Sequence, residues 1–223
     1  MTVLLIVAMF LVIILIDHLV TRQPIPVASP APVRQTSAES RPVPAFVGGF
    51  SLPDNLRYHP GHTWALRESP KMVRVGLDDF ATKIAGKIAS VTLPSPGQWI
   101  RQGQKIFTVE RNGHEVAVVS PIEGAVSEVN PAIAENPDLL HQDPYGEGWL
   151  ITVDSPDSKT NFRNLLGGTL ARRWLEDAAA KLRLFAAGPV EALAQDGGVA
   201  LDDFTEHLTD EEWEKITREF FLS

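Results

Sequence analysis

The chain has 223 residues, 44% hydrophobic and 22% charged, room for one domain of ordinary size with appendages. It contains no cysteine, which excludes disulfides, zinc–thiolate centres and cysteine nucleophiles. The net charge is −8, and all of it lies from Glu191 onward, where ten acidic residues face only Lys215 and Arg218. The body before Glu191 is balanced and has no basic stripe, so no nucleic-acid partner is expected.

Val3 to Ile16 is an unbroken apolar run, and Leu19-Val20 extend it past Asp17-His18. As a helix, residues 2–20 would cover about 28 Å, close to a hydrocarbon core of roughly 30 Å. A signal peptide needs a basic start and a small-residue cleavage site. Here no Lys or Arg precedes Arg22, and Pro30 follows the pair Ala28-Ser29. A buried core helix would show a polar face and would not run into a Pro-rich stretch. Residues 1–21 are therefore expected to be an uncleaved transmembrane helix. Arg22, Arg34 and Arg41 all follow it, so the positive-inside rule predicts a single-pass protein of the cell membrane with its soluble part in the cytoplasm. Residues 22–45 form a linker with prolines at 24, 26, 30, 32, 42 and 44. Such a segment favours extended polyproline II and could reach roughly 70 Å.

From Leu56 to Asp154 short apolar runs alternate with Gly, Pro and Asn, the pattern of a small β domain, placed at 46–155. Strands are expected at Met72–Gly76, Ile88–Leu93, Ile106–Val109, Val116–Val119 and Trp149–Val153. A short helix capped by Asp78 and closed by Gly86 carries Phe80 and Ile84 on one face. Asn136-Pro137 reads as a further helix start. Between Val109 and Val119, Asn112-Gly113 sits among alternating residues and predicts a hairpin with a type I′ turn. His114, with Arg111, Glu110 and Glu115 as chain neighbours, reads as a solvated hairpin histidine. His59, His62 and His141 lack metal-ligand spacing, and no metal site is expected.

Residues 156–223 read as a helical, acidic extension. Leu170, Trp174, Ala178, Leu182 and Phe185 make one stripe, with Thr169 as cap and Gly188-Pro189 as stop. A last helix starts at Thr209, which forms a capping box with Glu212 and leads an apolar face of Trp213, Ile216 and Phe220. The first stripe is expected to pack on the β domain. For the second, docking and contact with a partner stand close together.

Several motifs resemble the H-protein of the glycine cleavage system in order and spacing over residues 56–153. They are Tyr58-His59-Pro60-Gly61-His62-Thr63-Trp64, Val75-Gly76-Leu77-Asp78-Asp79-Phe80-Ala81 and Val91-Thr92-Leu93-Pro94. Ser120-Pro121-Ile122-Glu123-Gly124, Asn136-Pro137-Asp138-Leu139-Leu140 and Asp143-Pro144-Tyr145-Gly146-Glu147-Gly148-Trp149-Leu150 follow. The resemblance implies a flattened lipoyl-type barrel-sandwich, with Tyr58–Trp64 as one opening strand and His62 as a structural residue. Beyond Asp154 the chain reads as leaving the family pattern.

In that family the hairpin tip presents a lysine for lipoylation. Gly113 stands at this position, and no lysine occurs between Lys105 and Lys159. No lipoate is therefore expected. The expectation is a membrane-tethered, non-enzymatic binding or scaffolding module. Glu110, Arg111, Asn112 and His114 mark a possible partner-contact hairpin, on the surface that the family turns toward decarboxylase, aminomethyltransferase and lipoamide dehydrogenase. Two alternatives remain open: a glycine cleavage carrier modified elsewhere, and an envelope adaptor with a lipoyl-like domain and the opposite topology.

Overall fold

The computed structural model describes residues 45–186 and 208–221. The expected membrane helix and residues 22–44 of the linker lie outside them. Among the described residues, no helix is long and apolar enough to cross a membrane.

The fold is mainly β, and every strand pairing is antiparallel. β1 (Ala45–Val47) and β2 (Phe50–Leu52) form a small hairpin. The larger sheet runs β3-β4-β5-β11-β10-β7, from β3 (Arg57–His59), β4 (Thr63–Arg67), β5 (Met72–Leu77), β7 (Trp99–Ile100), β10 (Gly124–Val129) and β11 (Trp149–Asp154). The third sheet is β6-β8-β9, from β6 (Ser90–Thr92), β8 (Lys105–Arg111) and β9 (His114–Val119). Val73, Val75, Leu150 and Val153 of the six-stranded sheet join Phe107, Val109, Val116 and Val118 of the other in one core. This is the sandwich that the alternating pattern requires, with one row of each strand inward. At its centre Trp64 is fully buried and donates its indole N–H to Leu77 O at 2.8 Å and Pro144 O at 3.0 Å. The ring lies against Gly76, where a Cβ would come within 2.5 Å of it, so the glycine is there for close approach.

The predicted helix is α1 (Asp79–Ala85). Asp78 Oδ1 accepts from Ala81 N at 2.7 Å, and Gly86 closes the helix at φ +68°. One expectation about the β domain needs correction. Tyr58 to Trp64 is not one strand but two, β3 and β4, reversing at Pro60-Gly61. Another Asn-Pro pair, Asn130-Pro131, opens α2 (Pro131–Glu135), whose Ile133 is buried. Asn136 ends α2, its N–H bonded to Ala132 O at 2.8 Å, and its Oδ1 accepts from Asp138 N at 3.2 Å. Asn136-Pro137 thus leads into the single turn α3 (Leu139–Gln142) as expected, although Asp138 holds the cap position.

Three helices complete the described residues: α4 (Ser158–Arg163), α5 (Gly168–Ala186) and α6 (Asp210–Phe220). α5 packs on the β domain as expected, but on a rotated face. It buries Ala171, Leu175, Ala178, Ala179 and Leu182, leaves Leu170 64% exposed, and only half-covers Trp174 and Phe185. The small side chains win because α5 lies close against the β1–β2 turn. A Cβ on Gly48 would meet that of Ala179 at 2.6 Å, and Arg183 donates to Gly48 O at 3.2 Å. Thr169 lies inside the first turn rather than at its cap, and Gly188-Pro189 fall outside the described residues.

Candidate functional site

The β8–β9 hairpin has the register Arg111↔His114, Glu110↔Glu115, Val109↔Val116. Asn112 and Gly113 take φ +51° and +83°, the conformation a type I′ turn demands, as the sequence predicted. The tip is exposed, and a Cβ on Gly113 would meet nothing within 4 Å.

Successive strand residues point to opposite faces, and this divides the four hairpin residues into two sets. Glu110 lies on the outer row, where its Oε2 accepts from Ser90 Oγ at 2.7 Å. Arg111 and His114 continue the inner row of Phe107, Val109, Val116 and Val118, so Arg111 is 8% exposed despite its charge. What covers this row at the tip is α6. The Arg111 guanidinium carbon lies 5.7 Å from the centre of the Trp213 ring. His114 Nδ1 is 3.3 Å from Glu214 Oε1, its Nε2 is 3.4 Å from Asp210 Oδ2, and its ring centre is 6.2 Å from that of Trp213. His114 is therefore not the solvated histidine its chain neighbours suggested. Its facing carboxylates come from about a hundred residues away.

α6 has the cap and apolar face that its sequence implied, and that face is buried against the β domain and α1. Thr209 Oγ1 accepts from Glu212 N at 3.3 Å, and Glu212 Oε2 accepts from Thr209 N at 3.0 Å. The bond from Thr209 N, with a second from Thr209 Oγ1 at 2.8 Å, holds the Glu212 carboxyl below its ordinary range. Trp213, Ile216 and Phe220 are buried; Trp213 donates its indole N–H to Ile84 O at 3.2 Å, and the Phe220 ring lies 5.0 Å from Phe80. The helix thus lies between α1 and the inner face of β9.

His62 sits beneath, buried, with Nδ1 2.9 Å from Asp78 Oδ2 and its ring stacked 4.2 Å from Phe80. Asp78 therefore serves two partners, the α1 N-terminus and this imidazole, and the structural role expected for His62 stands. His59 Nδ1 accepts from Gly61 N at 3.0 Å, and burial first, then His62, holds that imidazole below its ordinary value. Burial pushes the Asp79 carboxyl up, although it accepts from Ser51 N at 2.7 Å and pairs with Lys83 at 3.2 Å. Both act in anchoring: Asp79 ties α1 to β2, and His59 braces the β3–β4 turn. Among the described residues, no group of three His, Asp or Glu side chains could hold a metal ion.

Glu110, Arg111, Asn112 and His114 are thus brought together at one hairpin end, but on different faces. Sequence reasoning missed Asp210, Trp213 and Glu214 as their neighbours. The only available signal was the amphipathic pattern of α6, which says that a face is buried and not where.

The glycine cleavage H-protein family model matches residues 56–178. That is more than half of the chain, and it runs past Asp154 through α4 into α5, beyond the limit read from the motifs. The probable glycine cleavage system H protein 2 of Sulfurisphaera tokodaii is 34% identical over 132 residues, covering 57% of this chain and 87% of that protein. The glycine cleavage system H protein of Anaeromyxobacter sp. is 37% identical over 110 residues, covering 49% and 85%. The crystal structure of a glycine cleavage system H protein from Mycobacterium marinum, 26% identical, covers 56% of this chain and 98% of that one, with a TM-score of 0.47. The chain belongs to the glycine cleavage H-protein family.

Proposed function

We propose that this chain is an H-protein family member without the family's lipoyl group, acting from the membrane as a non-catalytic binding or scaffolding module. One observation carries the reading: β8, β9 and their type I′ turn are intact, yet the tip holds Gly113 where the family resemblance places a lysine. Lys105 begins β8 at the end away from the tip, and the next lysine is Lys159. A carrier accepts a poor turn residue to project its arm, whereas Asn-Gly is optimal turn chemistry with nothing to project. The partner-contact surface is the hairpin end with Glu110, Arg111, Asn112 and His114. Residues 2–20 anchor the protein in the cell membrane, and the arginines after them keep the domain on the cytoplasmic side. The partner is a protein, and neither nucleic acid nor metal is involved.

The test is the intact mass of the protein isolated from its own cells. An unmodified mass is expected; a lipoyl increment on any lysine would overturn the reading. The rival, a carrier modified elsewhere, is favoured by family membership itself. One form of it uses Lys71, exposed in the turn between β4 and β5. Peptide mapping of Lys71 and the other exposed lysines decides between the two. Topology is tested by reporters fused after Ser223: activity of a cytoplasm-only reporter is expected, and activity of a periplasm-only reporter would favour the envelope adaptor.

A further inference from the structure

α6 stands apart from the other helices. It lies outside the family match, which ends at 178, and 23 residues (187–209) separate it from α5. Its anchors Trp213, Ile216 and Phe220 follow the i, i+3, i+7 spacing of a helix laid in a groove. The groove has an apolar floor, Phe80 and Ile84 of α1, and a polar wall, the Arg111 guanidinium and the His114 imidazole of the hairpin. The carboxylates of Asp210 and Glu214 face that wall. The pairing sets carboxylates against the His114 imidazole and an indole against the Arg111 guanidinium, and it uses two of the four residues assigned above to partner contact.

We infer that α6 is an intramolecular ligand, occupying a groove between α1 and the β8–β9 hairpin that otherwise receives a partner's helix. That helix is amphipathic and acidic, with a Trp-x-x-aliphatic-x-x-x-Phe face like that of α6 and carboxylates one turn before and beside the tryptophan position. The inference deepens the proposed function and rests on its reading of the hairpin end as the contact surface. Tethering sets the strength of the competition. At an effective concentration on the order of 1 mM, a groove with a dissociation constant of about 10 μM is closed roughly a hundredfold in excess of open. A partner's apparent affinity falls by the same factor, and moving α6 aside restores it.

The experiment uses the full chain in detergent with a protease site inserted between Gly197 and Gly198, and a fluorescent synthetic peptide of residues 208–223 as probe. Fluorescence anisotropy reads exchange, and circular dichroism reads the fold. After cleavage and dilution the labelled peptide is expected to bind saturably, while the uncut chain binds it at least tenfold more weakly. A Trp213→Ala peptide should fail to bind. Three results would overturn the inference: cut protein that never exchanges its own segment, cut protein that unfolds, or equal binding by cut and uncut protein. None of these depends on whether a lysine carries lipoate, so the intact-mass test and this one fail separately.

Discussion

α5 and α6 are both amphipathic, both follow the β domain, and both bury one face, yet they are held by different means. α5 lies inside the family match through residue 178 and contributes small residues at close range, Ala171, Ala178 and Ala179, around Leu175 and Leu182. α6 lies outside it and contributes a few large side chains, Trp213, Ile216 and Phe220, with Asp210 and Glu214 against His114 at one end. A closely packed alanine face has few alternative seats and belongs to the core. The large anchors of α6 join the same core, but with polar contacts at the rim they follow the pattern of a helix laid in a groove. Burial alone does not separate the cases.

The largest effect should come from Leu175→Ala, which deletes a side chain only 1% exposed from a face that cannot close over the gap. A loss of about 2–5 kcal/mol in unfolding free energy is expected, in one cooperative transition, measured by denaturant titration. Trp213→Ala would cost about 3–5 kcal/mol if α6 were ordinary core. As a tethered ligand closed about a hundredfold in excess of open, α6 would contribute about 3 kcal/mol, so the pattern of protection, not the size of the loss, separates the two cases. Hydrogen exchange should then show α6 unprotected while the β8–β9 amides stay protected. Loss of protection in both at once would break the distinction.

At the tip, Gly113→Lys introduces a side chain into open space, so only the positive φ is penalised, by about 1 kcal/mol. The variant should fold and keep α6 docked. Incubated with a lipoate ligase, lipoate and ATP, it is expected to gain a lipoyl mass increment. A failure to fold would show that the tip does not correspond to the family's attachment site.

The smallest effect concerns the β3–β4 turn, which adjoins the C-terminal end of α6 near Phe221. Folded His59 binds its proton less tightly than the unfolded chain does, and its Nδ1 is already used as an acceptor. Its contribution is complete above the unfolded value of about 6.5 and is lost as pH falls through the lower folded value. Melting temperature should drop between pH 7 and pH 5. His59→Asn, which keeps an acceptor but takes no proton, should flatten that slope; an unchanged slope would remove His59 as its cause.

Local chemistry was readable wherever a single residue type has few alternatives. Asn112-Gly113 must turn, Asp78 and Gly86 bound a helix, and Thr209 with Glu212 forms a capping box, all as expected. Where packing chooses among equivalent local signals, the sequence is less informative. Two Asn-Pro pairs each lead into a helix, but only Asn130 caps its helix through its side chain, and its amide also reaches Glu147 O and Trp149 O. On α5 the stripe with the largest side chains lost to the alanines, because the distance to Gly48 set the choice.

The sequence by itself determined the family, the β domain, the type I′ turn without a lysine, and the existence of an apolar face on each terminal helix. Each of these is encoded by periodicity or by backbone constraint within a few residues. Only the tertiary structure decided which side of the hairpin is covered and by what. Strand alternation assigns Arg111 and His114 to one face, but the carboxylates and the indole that meet them, Asp210, Glu214 and Trp213, come from a helix about a hundred residues further on. Contacts across that separation arise from the packing of whole elements against one core, and no local pattern along the chain records them.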